Sequence, residues 1–196
     1  MRQVSLIVIH CSASPNADSL FRGSPGTPGL RNPAQVIDQW HAERGFHRAA
    51  EWRARQNPDL AAIGYHYVID RAGLVLTGRH VDEIGAHAQG YNQKSLGICL
   101  VGTDEFSPAQ WASLAWLVTA EVARLTGRTP GVLPSGRNGP GNRNDPLTRT
   151  AVPALAALRG IRICGHRNLP DVHKTCPGFE VAPWLESGMA NPTGAA

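Results

Sequence analysis

The stretch Ile161–Gly178, IRICGHRNLPDVHKTCPG, gathers the side chains with the most chemistry in this chain. A short apolar run, Ile161 to Cys164, has the character of a strand, and it opens at Gly165 into a loop that carries His166, Lys174 and Cys176. Imidazole nitrogen and thiolate sulfur are ligands that zinc favours, and Lys174 adds a cation beside the thiol. A third ligand is available at the other end of the chain, where VSLIVIH, Val4 to His10, is a second apolar strand ending in a histidine. Adjacent strands of a sheet lie about 4.8 Å apart. Two strands ending in histidines can therefore aim both rings at one ion, with Cys176 closing the third position. Each residue alone has an ordinary structural role, the cysteine as a small core residue; the combination points to a metal. Three protein ligands with the fourth place left for water is a catalytic arrangement, whereas structural zinc sites fill all four.

The elements that must position these residues follow from pattern. Val4–Ile9 and Ser95–Val101 are continuous apolar runs of the kind buried at a sheet centre. Ile63–Ile69 and Leu74–Thr77, joined by the turn Asp70–Gly73, read as a hairpin. Asn32 followed by Pro33 starts a helix with Val36, Ile37 and Trp40 on its apolar face, ended by Gly45. A second, short helix is expected around Trp52. Ser107, Pro108 and Gln110 form a capping-box signature ahead of Trp111, Leu114, Ala115, Leu117, Val118, Val122 and Leu125, and Gly127 stops that helix. Thr150–Leu158 and Phe179–Glu186 are shorter helical expectations. The Ser/Pro/Gly-rich segments, among them Ala13–Arg31 and Arg128–Pro146, read as surface loops decorating one core, and Gly188–Ala196 as a frayed tail.

A chain of 196 residues with 42% hydrophobic content is one large domain able to bury an ordinary core. A net charge of +4 suits an acidic polymer or surface, but it is too diffuse to indicate nucleic acid, and no nucleic-acid-reading motif accompanies it. Cys11, Cys99, Cys164 and Cys176 suggest no disulfide framework. MRQVSLIVIH reads as neither signal peptide nor spanning helix, so synthesis in the cytoplasm without membrane insertion is expected.

Six segments in order, HCSAS at 10–14, QWHAERGF at 39–46, IGYHYVIDRAG at 63–73, GAHAQGYNQKSLGICLVG at 85–102, FSPAQ at 106–110 and GHRNLPDVHKTCPGF at 165–179, resemble the type 2 N-acetylmuramoyl-L-alanine amidases. That family includes phage amidase lysozymes and is related to the peptidoglycan recognition proteins. The resemblance implies an α/β fold, a single domain with a central mixed β-sheet flanked by helices. It assigns residues 1–187 to a zinc amidase domain, with insertions at about 20–31, 47–60 and 128–160 and a tail at 188–196. It implies one zinc ion per chain held by His10, His166 and Cys176, and hydrolysis of the amide between N-acetylmuramic acid and L-alanine in peptidoglycan or a muropeptide. Tyr65 and Lys174 match positions implicated in catalysis, and His87 and Asn92 lie in the segment lining the substrate groove. The family's common GHRD stands here as GHRN, with Asn168 at a position that is not a ligand.

A lysine near the ion can stabilise a developing oxyanion. A tyrosine can hold or deprotonate the attacking water. Spacing leaves these two roles unassigned between Tyr65 and Lys174. Period-two alternation puts Tyr65 and Tyr67 on one face of their strand and His66, a structural residue, on the other. His41, His47, His80 and His173 read as surface residues. Cell-wall lysis of endolysin type by a monomer, after release or delivery to the wall, is the leading expectation. Muropeptide recycling in the cytoplasm and an antibacterial effector share the same chemistry. A non-catalytic peptidoglycan-binding module is the alternative of a different class, and the joint presence of Cys176, Lys174 and Tyr65 weighs against it.

Overall fold

The computed structural model describes residues 2–24, 26–127, 146–192 and 194. Its ten principal elements are β1 (Leu6–Cys11), α1 (Pro33–Glu43), α2 (Ala50–Arg55), β2 (Tyr67–Ile69), β3 (Val75–Thr77), β4 (Ser95–Leu100), α3 (Pro108–Leu125), α4 (Pro146–Leu158), β5 (Arg162–Gly165) and α5 (Val181–Glu186). The strands form one mixed sheet in the order β3-β2-β4-β1-β5. Only β3 runs antiparallel to its neighbour; β2, β4, β1 and β5 are parallel. β1 and β4 are buried at every residue, as strands covered on both faces must be.

The two expected helix starts are built as capping boxes. Asn32 and Gln35 exchange side-chain and backbone hydrogen bonds at the head of α1, and Ser107 and Gln110 do the same at α3, each with Pro at the first position. One face of the sheet (Ile7, Ile9, Ile98, Leu100) packs against α3, α4 and α5. The other face meets α1 through Ala34 and Ile37, with Ile63, Val68 and Cys99 beneath them. His10 belongs to this second side of β1, since Ile7, Ile9 and Cys11 face the opposite way and side chains alternate along a strand.

Several expectations need correction. The pleat of β2 begins only at Tyr67, so alternation does not reach Tyr65. Tyr67 donates to Glu121 of α3 at 2.7 Å, whereas Tyr65 packs with the cluster beneath α1. The supposed decorations are anchored in the core. Leu20 has no exposure, Arg48 is buried, and Val152 and Ala156 carry α4 onto the main cluster. The helix anticipated at 150–158 begins at Pro146, while residues 128–145 of that insertion lie outside the described residues. Met189, within the span expected to fray, is 1% exposed, because the chain turns after α5 and inserts it beside Trp184. Trp40 is only half-buried, packed at the edge of its cluster.

The segment 47–60 is held by charge. The Arg48 guanidinium grips Glu83 with both Nε and Nη2 and also donates to the backbone oxygens of Gln56, Asn57 and Leu60. Arg79 meets the same carboxylate at 3.1 Å. The Arg48 and Glu83 side chains are 0% and 3% exposed, so removing the acid leaves uncompensated buried cations. Glu83→Ala should therefore lower unfolding free energy by about 3–5 kcal/mol in denaturant titration; a change near zero would mean that solvent reaches the cluster.

Candidate metal centre and cleft

The site is assembled at the carboxyl ends of neighbouring parallel strands, where open α/β sheets place their ligands. Ile9 of β1 pairs with Gly165 of β5, so the next residues, His10 and His166, emerge side by side with ring centroids 4.6 Å apart. His10 is 1% exposed and His166 8%. The loop after β5 then folds back. Asn168 Oδ1 accepts from Gly165 N at 3.1 Å, and Cys176 O accepts from Arg167 N at 2.8 Å. Gly165 allows this return, because a Cβ there would lie 2.6 Å from Pro177 Cδ. Gly178, at φ +88°, lets the loop press on the backbone of Thr103, where a Cβ would sit 2.2 Å from the carbonyl oxygen.

One ligand atom from each of His10, His166 and Cys176 lies within 4.8 Å of the others. His10 Nδ1 stands 3.7 Å from Cys176 Sγ, and the sulfur accepts from Cys11 N at 3.3 Å. Among the described residues this is the grouping of histidine, cysteine and acidic side chains able to hold an ion, and no carboxylate joins it. Its electrostatics suit a cation. Burial, then the neighbouring His166 and Lys174, hold the His10 imidazole well below its ordinary pKa, and burial and Lys174 lower His166 as well. Both rings are thus kept neutral, the form that coordinates metal. The neighbouring Cys11 and Cys176 thiols act on each other, so that loss of one proton is eased and loss of the second is opposed. The backbone N–H on Cys176 Sγ favours placing the resulting charge on that sulfur. The donor set, two imidazoles and one thiolate, therefore fits a borderline-soft divalent ion.

These residues form the floor of a cleft of about 1120 Å³. The half-buried Tyr65 ring stands 5.1 Å from that of His10. Burial, with the nearby cysteines, drives its phenol well above its usual pKa. Lys174 is exposed at the cleft margin. His87 also lines the cleft but directs its Nδ1 at His10 Nε2, 3.0 Å away. Asn92 Oδ1 accepts from the N–H groups of His87 and Ala88, so its carbonyl oxygen shapes the loop.

Two side chains were misjudged or missed from sequence. His41, expected on the surface, is 6% exposed. Its Nδ1 accepts from Gly64 N at 2.8 Å and its ring lies 5.3 Å from Tyr65. Asp38, one turn earlier, accepts from Ala62 N and Ile63 N. Both follow Ala34 and Ile37 at helical spacing, and that pattern marks an inward stripe despite their polarity. His66 keeps its structural role: Nδ1 accepts from Gly97 N, Nε2 meets Glu83 O, and burial lowers its pKa to about 3.

The family model described as N-acetylmuramoyl-L-alanine amidase matches residues 1–179. The chain belongs to this family. It is accordingly an N-acetylmuramoyl-L-alanine amidase. The endolysin of Escherichia phage T7 is 33% identical over 129 residues, covering 62% of this chain and 68% of the phage protein. The endolysin of Enterobacteria phage K11 is 33% identical over 196 residues, covering 95% and 89%. The solved N-acetylmuramoyl-L-alanine amidase LysC from Clostridium intestinale URNW shares the fold, with TM-score 0.53 and 19% identity over 95% of this chain and 85% of that one. Among the described residues no helix is long and apolar enough to cross a membrane.

The geometry separates the two cysteines. Cys176→Ser and His166→Ala should each lose most bound divalent metal by elemental analysis after dialysis, while Cys11→Ser, which leaves the backbone donor in place, should retain it. Equal retention in all three would dissolve the ligand set.

Proposed function

We propose that this amidase is a zinc enzyme that cuts the bond between the lactyl group of N-acetylmuramic acid and L-alanine, working on the cell wall as a monomer of endolysin type. The observation that carries this is the convergence of His10, His166 and Cys176 on the cleft floor, with Tyr65 and Lys174 beside them. Zinc held by these residues would polarise the scissile carbonyl and ease deprotonation of water.

The chain's own groups supply the rest. Two neutral imidazoles and one thiolate carry a single negative charge, so a divalent ion held by them would keep a net positive charge facing the cleft, suited to a carbonyl oxygen that gains charge. Lys174 adds a second cation at the margin, where an oxyanion develops. Tyr65, its phenol kept protonated by burial, serves as a hydroxyl donor rather than as the base. The donation strengthens as the carbonyl oxygen becomes negative, so its benefit falls mainly on the transition state. His41 and Asp38 hold the 62–64 backbone and thereby fix where the Tyr65 ring enters the cleft.

Digestion of purified sacculi should release stem peptides with new L-alanine amino termini and leave glycan chains intact by mass spectrometry. New reducing sugar ends without new alanine termini would mean a glycosidase. Tyr65→Phe and Lys174→Ala should keep full metal content and sacculus binding while turnover falls by about 10²–10³, the usual cost of one lost oxyanion donor. Near-normal turnover in both would remove their catalytic roles.

A further inference from the structure

The two ring nitrogens of His10 face different partners. Nδ1 points toward Cys176 and the ligand cluster. Nε2 lies 3.0 Å from Nδ1 of His87, and His87 Nε2 lies 3.3 Å from Oγ of Ser95, a residue with no solvent exposure. A neutral imidazole that offers Nδ1 to a metal carries its proton on Nε2. His10 therefore donates to His87 Nδ1. His87, accepting there, carries its own proton on Nε2 and donates onward to Ser95. A single direction of hydrogen bonding runs from the ligand cluster into the sheet.

The surroundings of His87 are cut to its shape. Its ring lies over Gly97 of β4 and Gly85 of the preceding loop. A Cβ at Gly97 would come within 2.6 Å of His87 Cδ2, and one at Gly85 within 2.5 Å. Glycine inside a central strand ordinarily weakens it and marks a close approach; here the approaching group is this imidazole. The His66 ring stands edge-on at 5.7 Å, and Asn92 fixes the His87 backbone through two N–H groups. Such a seat holds one orientation of the ring. A residue whose only task was to touch a varied polymer would not need it.

We propose that His87 is a positioning residue of the metal centre, setting the tautomer and rotation of His10 so that Nδ1 faces the ion, and that Ser95 holds His87 in turn. This inference rests on the zinc reading of the site. Partners of this kind orient ligating histidines, and their loss weakens metal binding by about 10–100-fold.

The test measures zinc affinity rather than activity. Apo protein is titrated with zinc against a competing chelator for the wild type, His87→Leu and His87→Asn. His87→Leu keeps bulk and removes the acceptor, and should bind zinc about 10–100-fold more weakly. His87→Asn restores an acceptor near the Nδ1 position and should recover most of that loss. On the zinc-loaded wild type, nitrogen-15 NMR of the histidine rings should show both His10 and His87 protonated at Nε2. This spectrum decides the matter even if His87→Leu fails to fold. Wild-type affinity in His87→Leu with weakened sacculus binding, or a His87 ring protonated at Nδ1, would overturn the proposal and make His87 a groove wall. A wild-type chain that takes up no zinc would instead strike the site reading itself, and this inference with it.

Discussion

The parallel pairing of β1 with β5 is the constraint on which the site depends. These strands lie more than 150 residues apart in the chain, and the register Ile9↔Gly165 decides that His10 and His166 leave the sheet together. A slip of one residue would turn His10 to the α3 face, since side chains alternate along a strand. The register is secured by burial on both sides: Ile7 and Ile9 inside the α3 cluster, Val8 and Cys164 beneath the cleft loops. The apolar core thus does more than stabilise; it fixes where the polar residues of the centre emerge.

Around that frame the loops are held by polar groups placed beneath them. Arg48, Glu83 and Arg79 tie the 47–60 segment to the loop before β4. Arg2 bonds to the carbonyl oxygens of Val81, Asn92, Gln93 and Ser95, anchoring both ends of the stretch that carries His87. Asp38 and His41 fix the approach to Tyr65. Each satisfies backbone groups that a non-repetitive segment would otherwise bury unpaired. The cleft is consequently lined by loops yet braced from below, as the proposed arrangement of three ligands and two flanking groups would require.

How much was legible in the sequence follows from the range of each interaction. β1 and β4 announce themselves as unbroken apolar runs, and α1 and α3 carry local caps, so their presence could be read directly. Tyr65 lay in an apparent strand whose regular pairing starts two residues later, at Tyr67, and the period-two inference failed there. His41 was hidden by its polarity, although its spacing from Ala34 and Ile37 was helical. Met189 was hidden by a tail-like composition, and the first turn of α4 by the Pro- and Gly-rich sequence before it. The contact of His10 with His87 spans 77 positions, and no local pattern encodes it.

The measurement that bears most directly on the centre is X-ray absorption spectroscopy at the zinc edge of the reconstituted protein. Expected is a shell with one sulfur at about 2.3 Å and two imidazole nitrogens at about 2.0–2.1 Å, completed by a light exchangeable scatterer. A shell without sulfur, one with two sulfurs, or one closed by a fourth protein ligand would contradict the open three-ligand centre built by β1, β5 and the Cys176 loop.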